Sequence, residues 1–194
     1  MSERVFNFNP GPATLPLSIL EQAQKELLNY KGTGMSVMEI SHRSKQFEEI
    51  IVGAEALLKE LLQIPDNYRV LFIGMGATGQ FDMIPMNYIV DGKVGNYAVT
   101  GSFASKAHKE GVKVGAAHVA ASTKDINFTR VANPDEIQLS DNPAYLHITT
   151  NNTIFGTQWK VFPETGDVPL IADMSSDILS KKIDVSKFAL IYAG

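Results

Sequence analysis

The sequence contains no cysteine. This absence excludes disulfides, thiolate catalysis and cysteine-based metal sites from these 194 residues. The four histidines show no metal-ligand spacing, either with one another or with carboxylates, so no metal site is predicted.

Positive charge and long apolar runs are also scarce. There are 17 lysines and arginines against 21 aspartates and glutamates, a formal charge of −4, and no basic stripe that would suit nucleic acid. No apolar run reaches membrane-spanning length, and the first residues carry no secretion signal. We therefore expect a cytoplasmic protein that binds neither nucleic acid nor membrane.

The residues that are present alternate between helical and strand-like patterns. Ser18 and Glu21 form a capping-box pattern that predicts a helix over about 18–31, and apolar spacing of three and four predicts a second over about 44–63. Further along lie five short apolar runs: 70–73, 96–99, 145–149, 168–172 and 189–192. Strands alternating with helices predict an α/β fold with a mainly parallel sheet and helices on both faces.

Small and polar residues follow four of these apolar runs. They occupy residues 74–79, 100–102, 149–153 and 173–176. Ligands of open α/β sheets bind at the carboxyl ends of the strands, so these segments are the candidate site.

The glycine turn in RVLFIGMGATGQF admits three interpretations. Gly74, Gly76 and Gly79 spell G-x-G-x-x-G, but the dinucleotide motif also needs an acidic residue further on, and AVTGSFASK supplies none. A turn that only permits close packing is the second interpretation. In the third, the amides of Ala77 and Thr78 at a helix N-terminus bind a phosphate.

Asp173 ends the apolar run VPLIA and admits two interpretations. A carboxylate there can cap a following helix. It can also pair with a protonated pyridine nitrogen, the contact that keeps pyridoxal phosphate an electron sink. The residues alone leave both open.

Four motifs carry a resemblance to a known family. They are MSVMEISHRS at 35–44, the turn ending in GATGQF, TTNNTIFGTQW at 149–159 and VPLIADMSSDILSKKIDVSKFALIYAG at 168–194. Together they resemble phosphoserine aminotransferases, which belong to fold-type I of the pyridoxal-phosphate enzymes. The resemblance runs from about Phe6 to Gly194 and covers about the first half of a family member.

The resemblance implies a role for each of five cofactor-binding residues. Ala77 and Thr78 would hold the phosphate of pyridoxal 5'-phosphate. Phe103 would stack on the pyridine ring, where the family commonly has tryptophan. Thr153 would hydrogen-bond the ring hydroxyl, and Asp173 would pair with the ring nitrogen.

The substrate site is implied by the same resemblance. Arg43, with His42 beside it, matches a serine–histidine–arginine motif that binds the anionic tail of the substrate. A guanidinium suits that role because its fork matches carboxylate or phosphate bidentately. Met75 departs from the family, which commonly has glycine there.

The resemblance also implies what the parent protein does and what this stretch lacks. It implies a homodimer that transfers an amino group from glutamate to a phosphorylated 2-oxo acid, 3-phosphohydroxypyruvate, in serine biosynthesis. The lysine that forms the Schiff base would lie beyond Gly194, so no catalytic residue is expected in this chain. An arm at 1–15 would precede a partial cofactor-binding domain at 16–194, and the small C-terminal domain would be absent.

Two other functions remain open at this point. Without the lysine, this stretch by itself is expected to be inactive, which favours a non-catalytic fragment that binds phosphate or the cofactor. A nucleotide-binding oxidoreductase is the weaker alternative, because the carboxylate for the ribose is missing.

Overall fold

The computed structural model describes residues 4–194. The chain divides into two compact units, the first ending at Leu61 and the second running from Leu62 to Gly194. The arm and domain bounds expected from the sequence, 1–15 and 16–194, stay predictions, and residues 1–3 of the arm lie outside the described part.

The first unit contains helix α1 (Leu17–Glu26) and most of helix α2 (Lys45–Leu62). The α2 bounds confirm the expected second helix. The predicted capping box at Ser18 is wrong: α1 begins one residue earlier, Pro16 is the N-cap, and no side chain caps it. The amides of Ile19 and Leu20 donate to the Pro16 carbonyl at 3.1 and 3.3 Å, so Ser18 lies inside the first turn.

The predicted end of α1 is also too late. The helix ends at Glu26 rather than near residue 31. Lys31 takes φ 48° and Gly32 φ 81°, left-handed conformations that cannot continue a right-handed helix.

The second unit is built on a five-stranded sheet in which all neighbours are parallel. Its strands are β1 (Val94–Val99), β2 (Ala117–Ser122), β3 (Pro143–Thr149), β6 (Leu170–Asp173) and β7 (Leu190–Tyr192). They lie side by side in the order β2-β1-β3-β6-β7. A small antiparallel hairpin joins β4 (Asn151–Asn152) to β5 (Thr157–Gln158). The mainly parallel α/β sheet is therefore confirmed, although β2 was not expected, because its AHVAAS sequence has few large apolar residues.

Alternate strand residues face two separate apolar clusters. Tyr97, Tyr145 and Ile171 lie in one cluster, together with Phe81 of helix α3 (Gly76–Tyr88) and Ala107 of helix α4 (Ser102–Val114). The other cluster includes Leu146, Trp159, Leu170 and Phe188. The sheet is thus apolar on both faces, which is typical of parallel sheets. Within residues 4–194, no helix is both long and apolar enough to cross a membrane.

The predicted strand at 70–73 is not formed. Leu71, Phe72 and Ile73 are 72%, 53% and 56% exposed, and this run pairs with no strand in the described chain. An apolar run becomes a strand only where a neighbour takes up its backbone N–H and C=O groups, and here none does.

The direction of the sheet positions the site. From β1 the chain adds β2 on one side, then returns to add β3, β6 and β7 on the other. The order therefore reverses between β1 and β3, and a cleft forms outside the carboxyl ends of strands at such a reversal. We call the side of the sheet formed by the carboxyl ends of β1, β3, β6 and β7 the carboxyl edge.

Met75 is strained at the start of α3, and replacing it tests that strain. It has φ 77° as the N-cap and is 76% exposed. We predict that Met75→Gly raises the free energy of unfolding by up to about 1 kcal/mol in urea titrations, because glycine adopts this conformation without a Cβ penalty.

Met86 provides the matched control. It is exposed on the same helix at 63% but has helical geometry, so Met86→Gly should lower the free energy of unfolding by about 1 kcal/mol. Equal losses for the two glycine variants would show that Met75 is unstrained.

Candidate active site

The first turn of α3 presents free amides to the carboxyl edge. Met75 at φ 77° and Gly76 at φ 57° turn the chain into the helix. The Gly79 amide donates to the Met75 carbonyl at 3.3 Å, whereas the amides of Gly76, Ala77 and Thr78 precede the first acceptors that a helix provides. These N–H groups, at the positive end of the helix dipole, suit an anion.

Gly194 lies directly against this turn. A Cβ built on Gly194 would lie 2.4 Å from the amide nitrogen of Ala77 and 3.0 Å from its Cβ. Only glycine therefore fits there, and a side chain would fill the space beside the free amide. The Gly194 amide itself donates to Ser175 Oγ at 3.1 Å.

Asp173 ends β6 and is almost completely buried, at 3% exposure. Its Oδ1 accepts from the Ser175 amide at 3.0 Å and from the Ser175 hydroxyl at 2.6 Å. Within residues 4–194 it has no ion pair, and its Oδ2 has no protein donor. Burial raises the pKa of Asp173; the Ser175 bonds oppose this rise, and the charge of Asp177 adds to it.

A second aspartate shows what is unusual about Asp173. Asp184 Oδ1 accepts from the Ser186 amide and hydroxyl at the same 3.0 and 2.6 Å. Asp184 is exposed, and the Ser186 hydroxyl bond lowers its pKa. The two carboxylates thus differ in burial and not in hydrogen bonding.

The helix cap considered for Asp173 is not formed. Residues 174–184, all of them described, form turns and irregular chain rather than a helix. A buried carboxylate is costly for the folded chain when only one of its oxygens is hydrogen-bonded and no cation among the described residues pairs with it. A cationic ligand group would relieve that cost.

The loops after β1 and β3 meet where the strand order reverses. Asn152 donates to the hydroxyls of Thr100 at 3.3 Å and Thr157 at 3.1 Å. A Cβ on Gly101 would lie 2.3 Å from Asn152 Oδ1, so only glycine fits at this contact. The hydrogen bond from Asn152 to Thr100 therefore joins the loop that carries Thr153 to the turn that precedes Phe103.

Phe103 and Thr153 extend from these two loops. Phe103 lies in the first turn of α4, is half-buried, and packs against the same apolar cluster as Ala77. Thr153 is half-buried in the hairpin turn, and no partner for its hydroxyl is found in the described chain.

The carboxyl edge therefore gathers the segments that carry Ala77, Thr78, Phe103, Thr153 and Asp173. Ser175 and Gly194 link Asp173 to the Ala77 turn, and Asn152 links the other two loops. Asn152 and Ser175 lie within the candidate segments 149–153 and 173–176, but the sequence analysis assigned neither of them a role. The D-x-S pattern shared by Asp173–Ser175 and Asp184–Ser186 is typical of such a turn, but it does not contain the contact of Ser175 with Gly194.

The predicted substrate residues lie in the first unit. His42 and Arg43 occupy an exposed turn before α2, and the Arg43 amide donates to Ser41 Oγ at 3.3 Å. Their role stays a prediction.

The chemistry of these groups suits an anion and a heteroaromatic base. The amides at the start of α3 suit an anion, the buried carboxylate of Asp173 suits a protonated base, and Phe103 supplies an aromatic ring in the first turn of α4. Across residues 4–194 no group of three or more histidine, aspartate or glutamate side chains could hold a metal ion. The residues present fit a phosphate-bearing pyridine.

Comparison with known proteins identifies the family. The sequence model of the aminotransferase class-V family matches residues 5–194 of this chain. The chain belongs to the class-V aminotransferase family.

Curated relatives within this family are phosphoserine aminotransferases. Those of Geobacillus kaustophilus and Alkalihalobacillus alcalophilus are 57% and 55% identical to 99% and 100% of this chain. The chain spans about half the length of these relatives, 53% and 54%.

Solved structures agree in fold. The phosphoserine aminotransferase from Bacillus circulans subsp. alkalophilus gives a TM-score of 0.96 at 55% identity, over 100% of this chain and 54% of that one. The pyridoxal-phosphate-bound phosphoserine aminotransferase from Trichomonas vaginalis gives 0.91 at 39% identity, over 98% and 57%. The fold-type I assignment made from the sequence is confirmed.

From the burial of Asp173 we predict that removing its charge gives a gain in stability that depends on pH. Because burial raises the pKa of Asp173 in the folded chain above its ordinary value of 3.8, ionisation opposes folding. Asp173→Asn should therefore raise the free energy of unfolding at neutral pH. The gain should shrink as the pH falls and vanish below about 3.8, where the carboxyl is protonated both folded and unfolded.

Asp184→Asn is the matched control, with the opposite sign. The pKa of Asp184 is lowered, so its ionised form favours folding and the substitution should lower stability at neutral pH. Urea titrations across the acidic range measure both variants. A loss at neutral pH for Asp173→Asn would contradict the burial cost.

Proposed function

We propose that this chain forms the cofactor-binding half of a pyridoxal-phosphate transaminase that makes phosphoserine for serine biosynthesis. Glutamate would donate the amino group, and 3-phosphohydroxypyruvate would accept it. One observation carries the proposal. A single carboxyl edge holds free helix amides at Ala77 and a buried, cation-free carboxylate at Asp173, joined through Ser175 and Gly194.

The phosphate is assigned to the first turn of α3. The amides of Ala77 and Thr78 would donate to it, and the Thr78 hydroxyl would add a third donor. Thr78 is exposed and Ala77 half-buried, so the turn is accessible to a ligand.

The ring is assigned to the opposite side of the same edge. Asp173 Oδ2 would accept the proton of the pyridine nitrogen in a charge-assisted hydrogen bond. Phe103 would pack on the ring face, and the Thr153 hydroxyl would bond the ring hydroxyl. When bound, pyridoxal phosphate supplies an electron sink for the carbanion at the substrate α-carbon.

Recognition of the substrate is assigned to Arg43 with His42 beside it. The names of the relatives point to a phosphorylated amino acid. In a transaminase of that specificity, a guanidinium can bind the phosphate or carboxylate tail with two parallel hydrogen bonds. The homodimer and the cytoplasmic location are part of the same proposal.

We further propose that residues 4–194 bind the cofactor without turning it over. Two lysines near β7 are engaged elsewhere, Lys187 with Glu164 at 3.1 Å and Lys181 with the Trp159 carbonyl at 3.4 Å. Lys106 lies over the Phe103 ring at 5.1 Å, held on the surface of α4. By the family resemblance, none of these is the lysine that carries the cofactor.

Cofactor titration tests the proposal. The chain should bind pyridoxal phosphate, detected by visible circular dichroism, and inorganic phosphate should compete. Asp173→Ala should weaken binding about tenfold, because it removes a charge-assisted hydrogen bond of about 1.5 kcal/mol or more. Asp184→Ala, on the exposed copy of the same turn, should leave binding unchanged.

The alternatives give different results in the same experiment. Binding of NAD in place of pyridoxal phosphate would support the oxidoreductase and overturn the proposal. Borohydride reduction followed by mass spectrometry should find no cofactor attached to the chain. Stoichiometric attachment at one lysine, with Lys106 as the residue to examine first, would contradict the assignment of the amine to a segment outside 4–194.

A further inference from the structure

The Ser175 hydroxyl bridges two groups of the carboxyl edge. Its oxygen lies 2.6 Å from Asp173 Oδ1 and 3.1 Å from the Gly194 amide nitrogen. A hydroxyl has one proton to donate. The Ser175 oxygen accepts the hydrogen bond from the Gly194 N–H, so the hydroxyl proton remains available to donate to the Asp173 carboxylate.

Ser186 shows that this bridge is not a general property of the turn. It makes the same pair of bonds to Asp184 Oδ1, at 3.0 and 2.6 Å, on the surface. Among the described residues no further group bonds the Ser186 hydroxyl. Ser175 differs by its second partner and by the burial of the carboxylate it serves.

Ser175 supplies the hydrogen bonds that favour the charged form of Asp173, and the other polar groups near Asp173 do not. Asp177 lies in the same turn, where its charge raises the pKa of Asp173, and Tyr192 of β7 lies opposite Asp173 in the strand register. From β3, His147 lies within hydrogen-bond distance of the Tyr192 hydroxyl at 2.8 Å, and burial lowers the pKa of His147 to about 3. None of these groups is cationic at neutral pH, so the Ser175 hydroxyl and amide are the donors that favour an ionised Asp173.

We propose that Ser175 is a positioning residue: its hydroxyl keeps Asp173 ionised with Oδ2 free for a ring nitrogen, and it holds the Gly194 backbone against the Ala77 amide. The part that concerns the ring nitrogen rests on the proposed function. The part that concerns Asp173 and Gly194 belongs to the chain without any ligand.

Loss of this hydroxyl should affect both partners at once. The carboxylate would lose a hydrogen bond that stabilises its charged form, so the pKa of Asp173 should rise. The Gly194 amide would lose its acceptor and become open to solvent exchange. If Ser175 only filled space, loss of its hydroxyl would produce neither change.

A carboxyl-carbon NMR titration of the ligand-free chain tests the first effect. In Ser175→Ala the titration midpoint of Asp173 should rise by about one pH unit, the equivalent of one charge-assisted hydrogen bond. Ser175→Thr retains the hydroxyl and should restore the midpoint, whereas Ser186→Ala should leave Asp173 unchanged. An unchanged midpoint in Ser175→Ala would overturn the proposal.

Amide hydrogen exchange tests the second effect in the same samples. The Gly194 amide should exchange faster in Ser175→Ala and return toward wild type in Ser175→Thr. If Ser175→Ala does not fold, Ser175→Cys replaces it, because a thiol keeps the size but donates weakly. The same direction of change is expected, and no change in either measurement counts against Ser175.

The cofactor provides a separate readout. With pyridoxal phosphate labelled at the ring nitrogen, Ser175→Ala should weaken binding and lower the pH at which the bound ring loses its proton. Failure of the wild-type chain to bind the cofactor would defeat the proposed function but not the Ser175–Asp173 coupling. A coupling that fails while wild-type binding succeeds would defeat this inference alone.

Discussion

The register of the parallel strands is the constraint on which the site depends. β3, β6 and β7 run side by side in one direction, with Thr149 opposite Asp173 and Asp173 opposite Tyr192. Residues that follow these strands must therefore meet at one edge. Ser175 and Gly194 are joined across 19 positions, and Asn152 and Thr100 across 52, because the sheet brings their strand ends together.

This edge carries a carboxylate at the expense of stability. A sheet that is apolar on both faces excludes water from Asp173, and burial raises its pKa. The Ser175 bonds offset part of that cost, and Asp184 shows that the same bonds stabilise an aspartate that remains in water. A buried charge with no cation nearby is typical of a functional group whose partner is a ligand.

The sequence predicted those parts of the fold that local patterns determine. The runs 145–149 and 189–192 become strands because they are apolar on both faces, and α2 forms because its apolar spacing is helical. The run 70–73 is equally apolar, yet it is no strand because no segment within residues 4–194 pairs with it. Strand pairing is a long-range property that a local pattern does not contain.

The candidate site likewise has features that local sequence patterns predict and features that depend on long-range contacts. Ala77, Phe103, Thr153 and Asp173 could be placed at one edge because each follows a strand or opens a helix, although their roles came from family resemblance. The bridges by Ser175 and Asn152 could not be predicted, since each depends on side-chain geometry between distant segments. Met75 at φ 77° was visible in the sequence as an unusual residue, but its left-handed conformation was not.

A crystal structure of this chain soaked with pyridoxal phosphate would test the central claim most directly. The account predicts phosphate oxygens about 3 Å from the amides of Ala77 and Thr78, with the ring nitrogen at hydrogen-bond distance from Asp173 Oδ2. A phosphate bound away from the start of α3, or a ring whose nitrogen faces away from Asp173, would contradict it.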